Sequence, residues 1–371
     1  MPFGVYVHIP FCASRCDYCD FATWTDRDHL INEYVDACVT DLDRRSANGM
    51  APATSVFFGG GTPSLLPADR LVRILDAVPR AGDAEVTVEC NPDSVDPAKL
   101  AAYRAAGVNR LSFGVQSLRP HVLAALGRTH DTANVARAVE WARTVGFEQF
   151  NLDLIFGTRG ESLADWRATL EGALALEPPH ISAYALTVEP ATPLGRRVAS
   201  GVAPGPEDDD QADKYDAADR VLAGAGLDWY EISNWARPGF ECRHNFLYWG
   251  QDDYVGIGCA AHGHTAGRRW WNVRTPERYV ERMAARESAE AGAEDLDEHT
   301  KEEERLALAL RTRRGAEPTD AVAAEVEELV DAGLLERASD RVVLTRRGRL
   351  LATDVTARLL AAGDVERAGT R

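Results

Sequence analysis

Over roughly its first 190 residues the chain repeats one pattern: a short apolar run, a turn, then a longer stretch with helical spacing. The runs fall at 4–9, 55–58, 85–89, 110–115, 150–155 and 181–187. The helical periods fall at 30–42, 68–78, 97–106, 132–145 and 163–176. Such alternation is the mark of successive βα units. Continuous apolar runs point to strands buried on both faces, and so to a parallel sheet covered by helices. Six units are too many for a small open sheet and too few for an eight-unit barrel. The expected fold is α/β, a partial (β/α)6 barrel.

The pattern then changes. An acidic stretch at 204–213 leads into a helix at 212–225, followed by a Trp/Tyr-rich segment from Trp229 to Trp271. From about Lys301 come helices, one at 320–332, a hairpin at 337–345 turning at Ser339–Asp340, and a last helix at 348–360, an order that suggests a winged-helix-like module. Three parts are expected: a barrel at 1–200, an aromatic-rich extension at 201–290 and a C-terminal winged-helix-like domain at 291–371. No internal repeat shows beyond the βα alternation.

The formal net charge is −17. Residues 207–213 carry five acids and no base, and residues 287–304 carry nine acids against Lys301 alone. These read as two solvated acidic linkers. So acidic a balance argues against coating nucleic acid, whose phosphates are met by Lys and Arg. Arg341, Arg346, Arg347 and Arg349 would form a basic wing, but the acids upstream oppose that use. No run of about eighteen apolar residues occurs, so no membrane span is expected. The start lacks the basic and apolar regions of a secretion signal, which makes cytoplasm the expected location.

Seven cysteines in a long chain do not make a disulfide framework. Cys12, Cys16 and Cys19, in a C-x3-C-x2-C run, follow the first strand directly. Three thiolates on so short a loop can converge on one centre, zinc or an iron–sulfur cluster. Structural zinc takes four ligands, and His8 is the only nearby fourth donor. A thioredoxin-like pair would use Cys16 and Cys19 and leave Cys12 superfluous. Covalent haem attachment is excluded because Asp20 follows Cys19. Three ligands on a four-iron cluster would leave one iron open. Cys38, Cys90, Cys242 and Cys259 are scattered and read as inert thiols.

With Tyr18 before the last cysteine, this loop resembles that of the radical S-adenosylmethionine (SAM) superfamily. The run at 7–21, VHIPFCASRCDYCDF, is similar to the branch that holds oxygen-independent coproporphyrinogen III oxidases and their relatives. The resemblance spans essentially the whole chain. It implies a [4Fe–4S] cluster on Cys12, Cys16 and Cys19 whose open iron binds the amino and carboxylate groups of SAM. Further SAM contacts are implied at Tyr6, Tyr18, Gly60, Gly61, Thr62, Glu89, Gln116, Arg128 and Asp153. Tyr6 lies on the first strand and Tyr18 in the cysteine loop, and the others lie in the motifs GGGTP after the second strand, ECNP after the third, SFGVQS and LGRTH at and after the fourth, and NLDLIFG on the fifth. Strand ends on that side are where barrels hold their chemistry. Read from residues alone, the glycines would be a tight turn and Arg128 a surface helix cap.

Two departures from the oxidases point to a haem-chaperone (HemW-type) subgroup. Phe21 stands where the oxidases have a further cysteine, and only eleven residues precede the cluster loop. That subgroup carries HNxxYW, here His244-Asn245-Phe246-Leu247-Tyr248-Trp249. The resemblance makes His244 the haem ligand. The alternative is an aromatic core of Tyr248, Trp249, Trp270 and Trp271 with His244 hydrogen-bonded at its edge. His262-Gly263-His264 is a second candidate, with 256–263 a close-approach turn near SAM. The expected function is a haem chaperone delivering haem to respiratory apoproteins, with an electron donor for its cluster, no nucleic acid, no membrane span and a homodimer as one oligomeric form. The runner-up is a true oxidase that turns two propionates into vinyl groups. An RNA-modifying radical enzyme ranks third.

Overall fold

All six apolar runs are strands: β1 (Phe3–Ile9), β2 (Ala53–Gly60), β3 (Arg80–Cys90), β4 (Arg110–Gln116), β5 (Gln149–Phe156) and β6 (His180–Ala185). The computed structural model describes residues 2–128 and 131–369. The six strands pair in parallel and in sequence order. The helices Ile31–Ala47, Ala68–Asp76, Pro97–Ala105, Thr132–Thr144 and Leu163–Leu174 are the crossovers. The sheet does not close, as a partial barrel requires.

The strands are shielded on both faces, as expected, but the two faces differ in polarity. Val5, Val7, Ile9, Val56, Phe58, Val86, Val88, Leu111 and Phe113 are buried in the main core. The alternate positions, Tyr6 and His8, Ser55 and Phe57, Thr87 and Glu89, Ser112, Asn151 and Asp153, line the other face. Because side chains alternate along a strand, one face is oil and the other a polar interior.

The aromatic extension adds strands to both edges of this sheet. β7 (Asp228–Glu231) and β8 (Asn234–Ala236) join antiparallel beyond β6. β9 (Asp253–Ile257) runs parallel to β1, register Phe3 to Asp253. β10 (His262–Thr265), β11 (Arg268–Asn272) and β12 (Glu290–Asp295) continue antiparallel to the far edge. One twelve-stranded sheet results, and a single core runs from Val5 to Ala289. The residues at 256–263, expected as one turn, are the end of β9, a turn and the start of β10.

The acidic stretches are also not linkers. Asp208, Asp209 and Asp210 form the first turn of the helix Asp208–Gly224, where carboxylates favour the helix dipole. Residues 287–304 hold β12 and the start of the helix Glu298–Leu310. β12 is the exposed edge, and Glu290, Glu294 and Asp295 discourage another chain from pairing there.

A second core spans Leu310 to Leu359 around the hairpin β13 (Leu335–Ala338) and β14 (Arg341–Leu344), which turns at Ser339 and Asp340. Its arginines serve the fold. Arg346 and Arg349 pair with Asp219, Arg341 with Glu317, and Arg347 donates to the Ala332 carbonyl. No helix among the described residues is long and apolar enough to cross a membrane.

Candidate functional site

The cysteine loop leaves β1 at Pro10 and is pinned to the barrel rim by backbone bonds. Trp24 donates to the Pro10 carbonyl at 2.8 Å, Cys12 to Trp24 at 3.0 Å and Thr62 to Phe11 at 2.8 Å. The glycine-rich turn after β2 is shaped by this loop. A Cβ on Gly61 would lie 2.7 Å from the Phe11 carbonyl and 3.0 Å from Cys12 Sγ, so any other residue would push the thiol away. Gly60, at φ +110°, sits in backbone space that favours glycine. The Thr62 hydroxyl lies 3.7 Å from Cys12 Sγ.

Cys16 is buried, while Cys12 and Cys19 are partly exposed. Burial pushes the Cys12 and Cys19 thiols up, so a positive centre is what would make them thiolates. Among the described residues no three His, Cys, Asp or Glu side chains close on a single ion. His8 does not complete a zinc set, because Nδ1 meets the Tyr6 hydroxyl at 3.0 Å and Nε2 the Ala22 carbonyl at 2.9 Å. Three soft thiols on a rim loop fit a multi-iron cluster, and Arg128 Nη1 stands 3.5 Å from Cys16 Sγ to balance its charge.

The other expected residues gather at the same mouth. Arg128 Nη2 donates to the Gly114 carbonyl at 2.7 Å, while its buried Nε has no partner. A guanidinium left with an open donor suits a carboxylate. Thr129 and His130 of that motif lie outside the described residues. Gln116 ends β4 in the left-handed region at φ 63°, and its amide lies beside Gly114. Glu89 accepts from the Gly60 amide at 3.1 Å. Burial, helped by Asp153, pushes Glu89 up to about 8. Asp153 accepts from Ser112 Oγ at 2.7 Å and Asn151 Nδ2 at 2.8 Å. A Cβ on Gly59 would lie 3.0 Å from Tyr6 and 3.3 Å from Glu89, so these two flank one glycine floor. Tyr18 packs against Leu126, Ile155 and Leu186 beside the loop.

His244 lies at the opposite end. The helix Arg243–Trp249 closes the N-terminal mouth of the barrel, with its amides capped from β3: Glu85 accepts from Arg243 N at 3.1 Å and His244 N at 3.0 Å. His244 is 1% exposed. Its Nδ1 meets Ser55 Oγ at 2.9 Å, its Nε2 the Tyr248 hydroxyl at 2.9 Å, and its ring stacks on Phe57. Burial pushes it down to about 3. As folded, neither ring nitrogen is open to iron. This is the hydrogen-bonded core histidine of the alternative reading, although Trp270 and Trp271 lie away from it on β11.

The floor of the interior is built largely from residues outside the motifs. His180 bridges Asn151 Oδ1 at 2.6 Å and the Tyr230 hydroxyl at 2.7 Å, and Arg110 donates to the Phe240 carbonyl at 2.8 Å. A period-two recurrence of polar residues inside apolar runs was the available signal.

Residues 6–173 match the radical SAM superfamily, and residues 296–351 match the HemN C-terminal domain. A Mycobacterium tuberculosis protein named heme chaperone HemW is 44% identical over 370 residues, 97% of this chain and 95% of that one. The chain belongs to the HemW family of radical SAM proteins. Its HemW relative in Bacillus subtilis is 33% identical, over 95% of this chain and 97% of that one. The Escherichia coli HemW is 41% identical over 71% of this chain and 70% of its own. Among solved structures, the Escherichia coli coproporphyrinogen III oxidase HemN aligns with a TM-score of 0.83 at 22% identity, covering 96% of this chain and 90% of that one. At that identity the likeness to HemN is one of fold.

Proposed function

We propose that this HemW-family protein is a haem chaperone that carries a [4Fe–4S] cluster on Cys12, Cys16 and Cys19, binds SAM at the barrel mouth, and passes haem to acceptor proteins. The observation that carries this reading is the near-full-length identity of 44% with a relative named for that role. Phe21, in place of the further cysteine expected of the oxidases, supports it. When bound, the cluster supplies an electron and SAM the carbon–sulfur bond that accepts it. The chain's own groups do the holding. Glu89 and Asp153 receive the SAM ammonium, Arg128 its carboxylate, and Tyr6, Tyr18, Gln116 and the backbone of Gly60, Gly61 and Thr62 border the ligand. The proposal extends to a cytoplasmic location, an electron donor that reduces the cluster, respiratory acceptors and a homodimer.

The test is anaerobic purification, then incubation with haem and, separately, with SAM, reductant and coproporphyrinogen III. Stable haem binding without protoporphyrinogen formation is expected. Turnover to protoporphyrinogen would replace this reading with that of an oxidase. A colourless protein with stoichiometric zinc would remove the cluster.

A further inference from the structure

Two acids share the barrel interior with no cation paired to either. Glu89 on β3 lies in register with Ser112 on β4, and Ser112 donates to Asp153 on β5 at 2.7 Å. The Tyr184 phenol on β6 feels both carboxyls. Their partners are a backbone amide, a hydroxyl and a side-chain amide, and among the described residues neither makes an ion pair. Arg128 at the mouth and Arg110 at the floor are engaged with the Gly114 and Phe240 carbonyls instead.

Two carboxyls enclosed in one site do not both stay ionised, because each charge raises the cost of the other. The donors decide which of them keeps its proton. Asp153 accepts from Ser112 Oγ at 2.7 Å and Asn151 Nδ2 at 2.8 Å, and the Arg110 charge favours its ionised form. Glu89 accepts from the Gly60 amide alone, at 3.1 Å. The better-furnished group holds the charge, so the charge sits on Asp153 and the proton on Glu89. The pKa of Glu89, pushed up to about 8 by burial and then by Asp153, agrees with that division. The other titratable groups around Glu89 keep one state near neutrality. Tyr6, Tyr184, Tyr248 and the Cys90 thiol are all pushed up, and His8 is pushed down to about 4.

We infer that SAM binds in exchange for a proton: the ligand-free site holds Glu89 as a carboxylic acid beside the Asp153 carboxylate, and the arriving ammonium drives the Glu89 proton into solvent. This rests on the reading of these two acids as receivers of the SAM ammonium and adds proton release to it. Glu89 loses its O–H bond, its carboxylate accepts from the ammonium N–H, and no bond of SAM breaks. Because a proton has to leave, binding tightens as pH rises toward the pKa of Glu89. An α-amino group keeps its own proton below about pH 7.7, so the dependence is read beneath that limit.

The test is calorimetric titration of SAM into the anaerobic, cluster-loaded full-length protein at neutral pH, in phosphate and in Tris, whose heats of ionisation differ. Release of about one proton per SAM bound is expected, and affinity should rise close to tenfold per pH unit from about pH 6 to pH 7. Glu89→Gln should bind without proton release and with an affinity that no longer follows pH, whatever its absolute value. Asp153→Asn removes the neighbouring charge, so Glu89 should ionise more readily in the empty site and the release should fall well below one. The wild-type proton count remains a test even if neither variant binds. Heats that give no proton release in the wild type, or release undiminished in Glu89→Gln, overturn this inference and leave the SAM site standing. A cluster-loaded wild type that binds no SAM overturns both.

Discussion

His244 illustrates how one side chain can carry a motif and still not face a ligand. Its neutral ring is tied at both nitrogens to buried hydroxyls, and burial pushes its pKa to about 3 from 6.5. An unfolded chain therefore takes up a proton below 6.5 that the folded ring refuses. Stability falls as pH drops through that window, by up to about 1.4 kcal/mol per pH unit for this residue. Urea unfolding between about pH 4 and pH 7 should show a shallower acid slope in His244→Gln, by close to one proton. Arg128 is expected to matter for ligand rather than for fold. Arg128→Met should keep its iron and lose about tenfold in SAM affinity by equilibrium dialysis, one charge-assisted bond's worth. The cysteine run was legible in the sequence because its spacing is local, whereas Glu89, Arg128 and Asp153 were singled out by the family resemblance, Arg128 reading from residues alone as a helix cap. Whether His244 had a free nitrogen was not legible, since Ser55 lies 189 residues away.

Among the elements, the seven-residue helix Arg243–Trp249 is too short to hold itself in water. It depends on the Glu85 carboxylate at its first turn and on its seat over β1 and β2. Glu85→Ala should cost about 1–2 kcal/mol of unfolding free energy, and hydrogen exchange should quicken first at the amides of 243–249. A rate unchanged there would show that the cap is not what holds the helix. The six βα units were readable from apolar periodicity alone. The five residues of β9 were not, because so short a strand takes its identity from a partner some 250 positions earlier in the chain. The acidic runs misled for a related reason. Composition marks them as wet, and an edge strand and a helix start are both wet.

For the molecule as a whole, two cores meet at Asp219, which receives Arg346, Arg349 and the Trp235 indole, and at Glu231, which pairs with Arg311. Removing a buried partner leaves the others uncompensated, at about 3–5 kcal/mol. Asp219→Ala should therefore split one calorimetric transition into two, with the C-terminal unit melting first. A single unshifted transition would mean the junction is held by other contacts. The central place of β1 has a consequence in time. One of its two neighbours, β2, follows it directly in the chain, while the other, β9, is some 250 residues behind. At about 5–20 residues per second the ribosome needs roughly 12–50 s to supply it. Throughout that interval the thiol loop hangs from a half-paired strand, reachable by whatever assembles iron and sulfide in the cell.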